Sequence, residues 1–145
     1  MRQQLLPDVV TNRDLYNLSP LATVQQAVQL MAEKSIGAVL VMEGSALRGI
    51  FSERDLLTRV VALGRSVERT MLREVMTVDV VSVPGTITPE EALRLMRAHH
   101  CRHLPVVEDG LVVAMVSIRD IFSAVQSRLE RDNQEKQAFI FSGGY

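Results

Sequence analysis

Between Thr23 and Ser35 the apolar residues Val24, Ala27, Val28 and Met31 recur at intervals of three and four, which places them on one face of a helix. Thr23 followed by Gln26 supplies the capping pattern that opens such a helix. The period then changes. "IGAVLVM" (Ile36 to Met42) is a short continuous apolar run rich in β-branched residues and predicts a buried strand. "EGSA" predicts a turn, "LRGIFS" (Leu47 to Ser52) a return strand, and Ser52-x-x-Asp55 the start of a second helix through "LLTRVV".

The whole pattern returns sixty-five residues later. Thr23 falls on Thr88, Ala27 on Ala92, Leu30 on Leu95, Met31 on Met96, Val41 on Val106 and Glu43 on Glu108. "GIFSERD" (Gly49 to Asp55) falls on "AMVSIRD" (Ala114 to Asp120), without a gap from Pro20 to Val60. Two copies at this long period point to two halves packed face to face rather than to an open array. Each unit reads as an extended lead-in such as "VDVVSV" (Val78 to Val83), then helix, strand, turn, strand and helix. The fold class predicted is α+β, with an N-terminal extension over 1–14, one repeat over 15–62, a linker over 63–79, a second repeat over 80–126 and a tail over 127–145. "ALGRSVERTMLREVMT" is too sparse in apolar residues for a separate domain and reads as a loop and a short turn. The tail is expected to be helical through about Gln137, with Val125 and Leu129 on one face, and to bury its apolar end "FIF".

Composition narrows the possibilities. At 47% hydrophobic and 23% charged the chain can bury a core, and with 4% aromatics and no Trp that core must be aliphatic and Met-rich. A net charge of -1 argues against a nucleic-acid surface held by bulk charge. The N-terminal stretch lacks the apolar region of a signal peptide, and no run reaches the ~20 residues of a membrane helix. The single cysteine, Cys101, excludes an intramolecular disulfide, and a cytoplasmic setting is expected.

Ser52 and Asp55, like Ser117 and Asp120, can be read simply as helix caps. The same geometry can also hold a nucleotide. A helix N-terminus after a strand offers amides and partial positive charge to a phosphate, a carboxylate one turn in suits ribose hydroxyls, and the intervening Arg54 or Arg119 suits phosphate. Capping alone does not require the arginine. "HHCRH" (His99 to His103) holds metal-ligand types, but zinc would need a second cluster. Cys101 takes the repeat position of Ile36 and is expected to be a buried thiol with no orienting group for nucleophilic catalysis. Neither a resident metal nor an enzyme is expected.

The two units resemble a pair of cystathionine-β-synthase (CBS) domains, a Bateman module, on the strength of "GIFSERD", "AMVSIRD" (alanine replacing the usual glycine), "IGAVLVM" and "CRHLPVVEDG". The likeness covers about Leu15 to Gln126 and extends to stand-alone CBS-pair proteins. It implies tandem β-α-β-β-α repeats around a pseudo-twofold axis, with a helical tail. It further implies a regulatory module that binds adenosine-containing ligands (AMP, ADP, ATP, NAD(H) or S-adenosylmethionine) without catalysis. One implied site joins Thr11, Tyr16, Ile36, Gly37 and Ala38 to Ser117, Arg119 and Asp120. The other joins Thr77, Val81, Arg102 and His103 to Ser52, Arg54 and Asp55, and its extra Arg102 and His103 are expected to favour the more anionic ligand. A homodimer forming a flat disc is expected, along with a regulated protein that the sequence does not identify. The alternative is a structural dimerisation protein that has lost its ligand.

Overall fold

The computed structural model describes residues 3–10 and 13–141, the last five as backbone only. The first repeat consists of β1 (Asn17–Leu18), α1 (Val24–Lys34), β2 (Ala38–Glu43), β3 (Ala46–Ser52) and α2 (Glu53–Asp55), which runs on as a wide helical turn over Leu56–Val61. A short α3 (Leu72–Val75) leads to the second repeat, α4 (Pro89–Ala98), β4 (His103–Glu108), β5 (Leu111–Ser117) and α5 (Ile118–Phe141). The mixed α+β architecture expected from the repeat is the one observed. The helical tail is no separate element: α5 runs unbroken past Gln137 to Phe141.

The duplication extends to hydrogen-bond register. β2 pairs with β3 from Ala38↔Ser52 to Glu43↔Ala46, with a bulge at Val41/Met42. β4 pairs with β5 from His103↔Ser117 to Glu108↔Leu111, with its bulge at Val106/Val107. The parallel contact Leu18↔Val41 has its counterpart in Val83↔Val106. Both long helices open with the predicted capping boxes, Thr23–Gln26 and Thr88–Glu91, and both are followed by a left-handed residue, Ser35 (φ 54°) and His100 (φ 52°).

Strand alternation sorts the core into three parts. Val39 and Val41 point to the first repeat's helices, against Met31, Phe51, Val60 and Leu72. Ala38, Leu40 and Ile50 point the other way and meet Val112 and Met115 of the second repeat, which forms the seam between the halves. The third part, around Met96, Leu104, Val116 and Ile121, belongs to the second repeat. Burying a side chain of Leu or Phe size stabilises the fold by ~1.5–3 kcal/mol, so each part contributes substantially.

The stretches that lead into the repeats pack crosswise. Leu5, Leu6 and Val10, in a stretch expected to be a mere extension, are buried in the second repeat's core. The Leu5 amide donates to Ile87 O at 2.9 Å and the Leu6 amide to Gly85 O at 3.0 Å. A Cβ on Gly85 would lie 2.8 Å from Leu6 Cδ1, so glycine leaves room for the Leu6 side chain. The linker does the same for the first repeat: Leu72 and Val75 fill its core, and the Leu72 amide donates to Ala22 O at 2.8 Å.

Candidate functional site

At the end of β3, Ser52 turns extended backbone into helix by a capping box. Its hydroxyl accepts from the Asp55 amide at 3.3 Å, and its own amide donates to Asp55 Oδ2 at 3.0 Å. Ser117 and Asp120 repeat the arrangement at 3.2 and 2.8 Å. The next amide in each helix is also used, Glu53 N donating to Gly37 O at 3.0 Å and Ile118 N to Arg102 O at 2.8 Å. The open helix N-terminus expected from the sequence is therefore mostly closed. Of the first three helical amides, those of Arg54 and Arg119 remain, so side chains must carry most of any anion recognition.

Two clefts lie between the repeats. The first, of about 590 Å³, brings Ser52, Arg54 and Asp55 together with Thr77, Val81, Arg102 and His103. The second, of about 300 Å³, brings Ser117, Arg119 and Asp120 together with Tyr16, Ile36, Gly37 and Ala38. Both groupings expected from the sequence thus converge, except that Thr11 lies outside the described residues.

Their carboxylates differ. Asp55 is 5% exposed and heavily engaged. Besides the Ser52 amide it accepts from Ser52 Oγ at 3.1 Å and Thr77 Oγ1 at 3.1 Å, and Arg59 Nε lies 3.7 Å away. Asp120 is only partly buried and, among the described residues, accepts from the Ser117 amide alone. Thr77 reaches Asp55 because its backbone crosses β3, pairing both ways with Ile50 at 3.0 and 2.9 Å. That crossing explains Gly49, whose Cβ would lie 2.7 Å from Thr77 O. Ala114, its counterpart, sits buried in the second repeat's core.

Charge also differs. Arg54, Arg59 and Arg102 balance Glu53, Asp55 and Asp79 in the first cleft, whereas Arg102 and Arg119 face Asp14, Glu53 and Asp120 in the second. Arg54 already spans the two repeats, donating to His100 O at 2.6 Å. His103 is partly buried, and that burial holds its pKa below the usual histidine value; Glu53 and Asp120 oppose the shift, while Arg102 and Arg119 add to it. Cys101 is not fully buried as expected but half-buried on the first cleft's wall, where burial pushes its thiol pKa up, away from the reactive thiolate. Among the described residues no three His, Cys, Asp or Glu groups converge to hold a metal ion.

Four charged cleft residues, Asp14, Glu53, Arg59 and Asp79, escaped the sequence reading. Asp14 and Asp79 are repeat counterparts, one per cleft, and the sixty-five-residue offset could have found them. Arg59 stands four residues after Asp55, the spacing of a helical ion pair.

The CBS domain family model matches residues 8–62 and 72–127, so the crossing of Leu72 and Val75 falls within the second matched segment, whereas Leu5 and Leu6 precede the first. The chain is 37% identical over 130 residues to the mitochondrial CBS domain-containing protein CBSX3 of Arabidopsis thaliana, covering 85% of this chain and 62% of the plant protein. It is 36% identical over 104 residues to YhcV of Bacillus subtilis, covering 72% and 74%. A CBS-domain structure from Burkholderia ambifaria MC40-6 superposes with a TM-score of 0.81 at 35% identity, covering 85% of this chain and 93% of that one. A second, from Agrobacterium tumefaciens, gives 0.78 at 28%, covering 83% and 98%. With two matched domains, one on each half of the internal repeat, the chain belongs to the CBS-domain family as a tandem pair.

Proposed function

We propose that this CBS pair senses adenosine-containing nucleotides in its two clefts and performs no chemistry on them. The observation that carries the reading is the composition of each cleft. A Ser-x-Arg-Asp turn from one repeat faces the lead-in and central strand of the other, so a ligand there would bridge the halves. Adenine would lie against backbone and apolar side chains, ribose on the aspartate, and phosphate toward the arginines. Asp120, with spare acceptor capacity, suits ribose as it stands, whereas Asp55 would share a ribose hydroxyl with Thr77. Arg102 and His103 line both clefts and not the first alone as expected, so a preference of the first cleft for the more anionic ligand rests instead on Arg59, its additional arginine. Ligand identity among AMP, ADP, ATP, NAD(H) and S-adenosylmethionine then becomes the signal passed to a regulated protein.

A thermal-shift panel of these compounds with GTP as control tests the reading. A ligand at a hundred times its Kd adds about 2.7 kcal/mol, which for a chain of this size raises Tm by roughly 5–10 °C. Adenosine compounds should shift the transition and GTP should not. A flat panel would instead favour a structural dimerisation protein.

A further inference from the structure

The wall between the clefts breaks the symmetry of the repeat. Gly37, Glu53, Arg102 and His103 line both clefts. Under the internal repeat, Arg102 corresponds to Gly37, His103 to Ala38 and Glu53 to Ile118. The charged or titratable member of each pair thus has an apolar counterpart. The packing is close: a Cβ on Gly37 would lie 3.2 Å from His103 Cε1 and 3.6 Å from Glu53 Cδ. The Glu53 amide is tied to Gly37 O, and the Arg102 carbonyl is tied to the first amide of α5. Arg102 itself is exposed, and it is the one cation common to both clefts among the described residues.

We propose that the two clefts compete for this single set of charges, so that a phosphate-bearing ligand in one disfavours a second phosphate-bearing ligand in the other. Arg102 can direct its guanidinium into one cleft at a time, and two phosphates on either side of one side-chain layer repel each other. The pair therefore holds one strongly anionic ligand, with the other cleft left to an uncharged or weakly charged one. This rests on the reading of the clefts as nucleoside sites, and adenosine, which has no phosphate, separates the two claims.

Calorimetry on the full chain tests it, with ATP and adenosine as probes on wild type and on Arg102→Ala, an exposed position whose loss leaves the core intact. Wild type should bind ATP in two events at least about tenfold apart, or ~1.4 kcal/mol. Arg102→Ala should weaken the tighter event and so narrow the gap, and with one cleft disabled by Asp55→Ala or Asp120→Ala it should weaken ATP binding at whichever cleft remains. Adenosine should bind wild type and variant alike, in two events without that gap. Two ATP events of equal affinity, a gap that Arg102→Ala leaves unchanged, or an Arg102→Ala effect at only one of the two clefts when each is studied alone would overturn the competition while leaving the nucleoside reading intact. Failure of both ATP and adenosine to bind would remove that reading and the competition with it.

Discussion

Asp55 performs two tasks that a single carboxylate rarely combines. It closes the capping box at Ser52, and it ties the Thr77 crossing and Arg59 to the same turn. Asp120 performs only the first. Removing a cap costs about 1 kcal/mol, and leaving the part-buried Ser52 and Thr77 hydroxyls without their acceptor adds ~1–3 kcal/mol. In urea unfolding, Asp55→Ala should therefore lose about 2–4 kcal/mol and Asp120→Ala about 1 kcal/mol. Equal losses would show that the Thr77 and Arg59 contacts contribute nothing. His103 supplies a pH signature. Its folded pKa lies below the unfolded value of about 6.5, because burial outweighs the pull of Glu53 and Asp120. Below pH ~6.5 the unfolded chain takes up the proton first, so this residue's contribution is complete above that pH and is lost as pH falls through 6.5 toward the folded value. The urea midpoint of wild type should drop between pH 7 and 5.5 relative to His103→Gln. Parallel profiles for the two proteins would exclude the residue.

At the scale of elements, much of the fold was legible because its signals are local. The capping residues, the three-and-four spacing of Val24 to Met31 and the β-branched runs each act within a few residues of chain. The repeat then carried each assignment from one half to the other. The pairing of cleft residues came from family likeness and not from spacing, and the structure brings the same residues together apart from Thr11, which lies outside the described residues. The closed helix N-termini were not legible, since they depend on where the Gly37 and Arg102 carbonyls fall in space. The role of Leu5 and Leu6 was hidden for a similar reason. Two leucines before a proline have no period of their own, and the core they enter lies in the other half of the chain. Leu5 is fully buried, so Leu5→Ala should cost about 2–5 kcal/mol. Hydrogen exchange should show the loss concentrated in α4, β4 and β5, not in α1 and β2. A loss confined to the first repeat would contradict the crossed packing.

Over the whole molecule, the outer helical faces remain apolar. Leu57 and Phe122, at equivalent repeat positions, are 62% and 55% exposed, and Val61 and Leu129 continue the same surfaces. A homodimer that covers them is expected, forming a disc of two pairs. Light scattering at micromolar concentration should give twice the chain mass, and a monomer there would contradict the disc. Phe139 to Phe141, the apolar end expected to join this contact, carry no described side chains; a truncation after Asn133 measures their share. The crossed packing has a further consequence, for the order in which the protein is made. Leu5 and Leu6 leave the ribosome well before their binding surface from Val83 to Ile121, which follows on the order of ten seconds later. The first repeat, by contrast, has the buried residues of its helix-facing core once Val75 has appeared. The nascent chain thus finishes its first half early and holds its opening leucines in waiting until the second half is complete.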